Sequence, residues 1–122
     1  MVRLTDPDIL ARYKQALTER ELTGAIVLEG RRALEGLRTT LEGMTEEEFM
    51  EALFRFVCHE NGEIDQVKEE REGRCEKWEW HYDLRLTIKG VKIYVETRLY
   101  PESFVGLKDK DPTILVVQIK PV

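Results

Sequence analysis

The sequence predicts an α+β fold, with N-terminal helices packed on one face of a mostly antiparallel sheet of four to five strands. Helix periodicity and helix caps are confined to the first half of the chain. From Glu63 onward apolar and polar residues alternate as they do in strands, and glycine-containing turn signals separate the alternating runs. With 122 residues the chain has room for a single domain around one core, divided into an N-terminal helix (1–24), a strand and helical pair (25–62) and an antiparallel sheet (63–122).

The first helix is announced by Asp6 as N-cap, Pro7 at the first helical position and Asp8 in the positive first turn. Ile9, Leu10, Tyr13, Ala16 and Leu17 follow at helical spacing, and Gly24 marks the expected end. "AIVLEG" is short, apolar and β-branched, which suits one strand leading into Gly30. A second helix should place Leu34, Leu37, Leu41 and Met44 on one stripe and stop near Gly43.

"MTEEEF" carries the sharpest local signal. Thr45 and Glu48 make a capping box, flanked by Met44 and Phe49 as a hydrophobic staple, so a third helix starts there. Phe49, Met50, Leu53, Phe54, Phe56 and Val57 widen its apolar face, and Asn61 with Gly62 ends it.

Four further strands are expected at about 64 to 70, 75 to 88, 91 to 100 and 113 to 120. Glu72-Gly73 and Lys89-Gly90 are the expected two-residue hairpin turns, since glycine tolerates the positive φ they require. "PESFVGLKDKDP" should bulge out before the last strand. That strand, "TILVVQI", is apolar on both faces and so should be central or covered.

A turn at Lys89-Gly90 fixes which residues face one another. Leu86 meets Ile93, Leu84 meets Val95 and Tyr82 meets Thr97 on the core side; Trp78 and Trp80 share that parity. On the other side Arg85 meets Tyr94, Asp83 meets Glu96 and His81 meets Arg98. The like-charge pair Asp83–Glu96 needs a cation, for which diagonal Arg85 and Arg98 are the expected source.

This polar face has two readings. It is either a solvated surface laced with ion pairs, or a ribonuclease groove. Cleavage by internal 2′-hydroxyl attack needs a base, an acid and a cation on the phosphorane. Those roles are open to His81, to Tyr82 or Tyr94, and to Arg85 or Arg98. Asp83, Glu96 and His81 could alternatively converge on a divalent cation, but a solvated or ion-paired face explains them more simply, so no metal is expected.

Composition narrows the classes. A net charge of -5 argues against broad attraction to nucleic acid, so an RNA site would have to be a local basic patch. Cys58 and Cys75 are too few and too isolated for a zinc cluster. No apolar run approaches the ~18 to 20 residues of a membrane span. "MVRLTDPDIL" lacks the apolar core of a secretory signal, so a cytoplasmic protein without membrane contact is expected.

"GLRTTLEGMTEEEFMEAL", then "EIDQV", then "YDLRLTIKGVKIYVETR" resemble the motility quorum-sensing regulator toxins, messenger-RNA interferases of the RelE-like fold. Small uncharacterised RelE-like toxin relatives are similar through "ALEGL", "MTEEEFMEAL" and "DPTILVVQI"; the likeness spans about residues 25 to 120. It implies a metal-independent endoribonuclease of a toxin–antitoxin system, working without a cofactor, with RNA, an antitoxin protein and a second copy of the chain as partners. Carried across, the family's catalytic cation falls on Arg98, its glutamine on Gln66 and its tyrosine on Tyr82, beside His81. Arg85 and Tyr94 would bind RNA phosphate. Glu51 stands where the family has a helix lysine, and Arg32 where the relatives often have a histidine. Those departures open the alternative of a non-catalytic protein-binding module on the same scaffold.

Overall fold

A computed structural model describes residues 2–102 and 111–122. The elements in chain order are β1 (Val2–Arg3), α1 (Pro7–Thr18), β2 (Ile26–Leu28), α2 (Arg31–Thr40), α3 (Glu46–Phe54), a π-helical turn (Arg55–His59), β3 (Ile64–Lys68), β4 (Trp80–Ile88), β5 (Val91–Tyr100) and β6 (Thr113–Pro121). The described strands form one six-stranded sheet in the order β1-β3-β4-β5-β6-β2, antiparallel except where β2 runs parallel to β6. The fold class is as expected, α+β with helices on a mostly antiparallel sheet. The sixth strand is the two-residue β1, which adds to the edge of β3 and is too short to show any alternation.

The starts of α1 and α3 follow their local chemistry. The Asp6 carboxylate accepts from the backbone N–H groups of Asp8 and Ile9, and the Thr45–Glu48 capping box is closed in both directions. α1 ends at Thr18, well before Gly24, and turns carry the chain to β2. α2 presents Ala33, Gly36 and Leu37 to the core, with Leu41 buried at its C-cap, whereas Leu34 is exposed. The expected leucine stripe is therefore rotated. Gly36 explains it: a Cβ there would lie 2.0 Å from the backbone oxygen of Ile119, so only glycine lets α2 seat this closely on β6.

The β4–β5 hairpin has the register read from the sequence, with Leu84 opposite Val95 and Ile88 opposite Val91. Lys89 (φ 50°) and Gly90 (φ 79°) both sit at positive φ, as a two-residue turn matched to strand twist demands. Leu84, Ile93, Val95, Ile114 and Val116 are buried beneath Tyr13, Leu17, Leu37, Phe49 and Leu53 of the helices. β6 lies inside the sheet between β5 and β2, with Ile114, Val116 and Ile119 buried and Leu115 and Val117 half-buried.

The expected Glu72-Gly73 hairpin is a correction. β3 ends at Lys68 and β4 begins only at Trp80; after the Glu69 N–H to Glu79 carbonyl bond, residues 70–78 leave the sheet as successive turns closed by Arg71–Cys75 and Arg74–Trp78 backbone bonds. Trp78 therefore escapes the strand alternation and does not join the core. The expected bulge after Tyr100 falls largely on residues 103–110, outside the described residues.

Candidate functional site

On the outer face of the sheet, away from the helices, strand register sets three acids in a row: Asp65 beside Asp83, and Asp83 beside Glu96. Each is answered by a different partner. Arg85 Nη1 donates to Asp65 at 2.6 Å. Asp83 takes the Tyr94 hydroxyl at 2.8 Å on one oxygen and has His81 Nδ1 2.7 Å from the other. Glu96 is held by Arg71 from the 70–78 segment. The cation expected from Arg98 for this row thus comes from Arg71, next to the Glu72-Gly73 pair.

Arg98 serves a different acid. Its Nη2 donates to Glu69 at 3.0 Å, and Arg71 binds the same carboxylate through Nε and Nη2, both at 2.8 Å. Of these four charges Glu69, Glu96 and Arg98 are each under 5 % exposed, and Arg71 reaches solvent. The hydrogen bonds from Arg71 hold Glu69 ionised, pulling its pKa to about 2 against the opposing effect of burial. The Tyr94 phenol is pushed up, first by burial and then by its bond to Asp83, and so stays a donor.

The remaining sequence-predicted residues lie elsewhere. Tyr82 pairs with Gln66 across β3 and β4, and both belong to the helix side of the sheet. Burial, with Glu102 next, raises the Tyr82 hydroxyl to about 12. The neighbouring Thr97 hydroxyl sits 2.6 Å from the Tyr82 carbonyl and 2.7 Å from the Tyr13 hydroxyl, a bonding pattern of packing rather than chemistry. The structure therefore joins His81 and Tyr94 through Asp83 with Arg85 beside Tyr94, sets Arg98 apart on Glu69, and leaves Tyr82 and Gln66 on the other side of the sheet. Glu51, on α3, engages Arg20 and Arg55 and is held below the usual carboxylate range, chiefly by Arg20.

Among the openings that border this network, two bear on its arginines. A cavity of about 240 Å³ lies between the 70–78 segment and β5–β6, with Arg74, Lys77 and Trp78 on one side, Arg98 and Val117 on the other and Glu29 also lining it. Nη1 of Arg98 is buried and has no hydrogen-bond partner among the described residues. Trp78 covers the guanidinium, 5.2 Å from its ring centre, and packs edge-on against Tyr100. A larger cleft of about 490 Å³ separates the π-helical turn from the end of β4. Its cations are engaged: Arg55 with Glu51, Arg85 with Asp65 and Lys89 with Glu48. Among the described residues no three His, Cys, Asp or Glu side chains are grouped to hold a metal ion, and no helix is long and apolar enough to cross a membrane.

Comparison with known proteins returns no matching family model, no matching curated protein and no matching solved structure.

Proposed function

We propose that this chain is a non-catalytic protein-binding module on a RelE-like type of scaffold rather than a messenger-RNA interferase. The observation that carries this reading is the dispersal of the groups cleavage would require. Internal attack by a 2′-hydroxyl needs base, acid and phosphate cation around one accessible point. Here Tyr82 and Gln66 lie across the sheet from Arg98, and neither His81 nor Tyr94 lines the cavity onto which Arg98 borders. Arg85 is engaged with Asp65. Glu51 in place of a helix lysine, and a net charge of -5, point the same way.

One observation favours the catalytic alternative. His81 Nδ1 lies 2.7 Å from an Asp83 carboxylate oxygen, in the arrangement that orients an imidazole. A single assay separates the two readings. Purified protein is incubated with single-stranded RNA in EDTA and again with magnesium, beside Arg98→Ala and His81→Ala variants shown to be folded. The binding-module reading expects intact RNA throughout and unimpaired growth of a host expressing the chain alone. RNA cut by the parent and spared by folded His81→Ala would overturn it.

A further inference from the structure

We infer that the cavity beside Arg98 is an oxyanion-recognition pocket, taking a carboxylate or phosphate group presented by a protein partner; the inference rests on the binding-module reading above. Arg98 is the anchor. Its side chain is 4 % exposed, Glu69 occupies Nη2, and Nη1 has no acceptor among the described residues. Native proteins rarely leave a buried guanidinium nitrogen without an acceptor; Nη1 is enclosed and the Trp78 ring covers the guanidinium, so a ligand oxygen reaches it by displacing that ring. Arg74 and Lys77 line the same cavity, and neither forms an ion pair among the described residues. Three cations therefore surround a space faced by a single lining acid, Glu29.

The surroundings select the kind of molecule that brings the oxyanion. An adjoining cleft shares Lys77 and Trp78 but is lined by Glu69, Glu76, Glu79 and Glu102. A nucleic-acid strand with one phosphate in the cationic pocket would run its neighbouring phosphates past those carboxylates, at a repulsive cost. An isolated acidic side chain on a protein surface meets no such penalty. Apolar contacts are also at hand: Tyr100 is 47 % exposed beside Trp78, and Val27 is 38 % exposed on the strand next to β6. Aromatic surface around a charged anchor is the composition of a protein-recognition site.

The test uses the full chain. Inorganic phosphate, a glutamate-rich peptide and the same peptide carrying one phosphoserine are titrated separately, followed by the Trp78 indole and the arginine side-chain resonances in NMR. Saturable shifts at Trp78 and Arg98 are expected with all three probes; the ratio of the two peptide affinities tells carboxylate from phosphate recognition. Arg74→Ala/Lys77→Ala alters only the turn segment and should weaken each by about tenfold or more. Absence of saturable shifts, or equal affinity in the double variant, would overturn the pocket. Single-stranded RNA binding more tightly than either peptide, and weakened by the same double variant, would overturn the protein partner while leaving the pocket standing. RNA cleavage is scored in parallel, so failure of the binding-module reading registers separately from failure of the pocket.

Discussion

Replacing Glu69 by alanine should cost about 3 to 5 kcal/mol of folding stability, although the residue lies outside the hydrophobic core. Its carboxylate is fully enclosed and accepts from Arg71 Nε and Nη2 at 2.8 Å each, from the Arg71 backbone N–H at 3.1 Å and from Arg98 at 3.0 Å. The two arginines do not contribute equally. Arg71 is 39 % exposed and can turn toward water when its partner is lost, which keeps its share to about 1 kcal/mol or less. Arg98 is 4 % exposed and cannot, so the variant strands a buried cation. For a chain of this size the loss corresponds to a fall in Tm on the order of 10 to 20 °C. Denaturant unfolding should show a lower midpoint with an unchanged slope.

Adding Arg98→Met removes the stranded charge, and the double variant should recover at least about half of the loss. The pH dependence is also defined. The pKa of Glu69 falls from an ordinary 4.5 to about 2 on folding, so its stabilisation is complete above about pH 5 and disappears as pH drops toward 2. The gap between parent and Glu69→Ala should narrow over that interval. A cost below about 1 kcal/mol, or no recovery in the double variant, would refute the description of Glu69 and Arg98 as an enclosed pair.

Gly36→Ala should be destabilising by about 1 to 3 kcal/mol, despite a helix-propensity gain of about 1 kcal/mol, because the new Cβ meets the backbone oxygen of Ile119, which has no side-chain freedom to yield. A raised Tm would show that α2 does not seat on β6 at that distance. Leu84→Asp should cost several kcal/mol, on the order of the penalty for an unpaired buried carboxylate, since Leu84 is fully buried against Val95. An unfolding midpoint equal to that of the parent would contradict the hairpin's inward face.

Local chemistry made much of the fold legible in the sequence. The Asp6 and Thr45 caps, the Lys89-Gly90 turn and the Leu84–Val95 pairing depend on residues close in sequence or on the two-residue period of a strand, and all are present in the structure. The period also placed Tyr82 on the core side, where it lies, and so already set it apart from Arg98. The rotation of α2 was not legible, because it depends on the approach of Gly36 to Ile119, far along the chain on β6.

The candidate site divides in the same way. Alternation by itself put His81, Asp83, Arg85, Tyr94, Glu96 and Arg98 on one face and required a cation for the paired acids. Which cation answers was decided by tertiary structure. Alternation predicted residues 75–78 as strand, but they fold as turns, and only that folded segment brings Arg71 over Glu96 and Trp78 over Arg98. Burial has the same origin: a strand pattern says which way Arg98 points but not what lies above it. Periodicity is a property of the backbone and travels with the sequence, whereas the pairing and enclosure of charges depend on contacts between segments that only the completed sheet and its covering turn bring together.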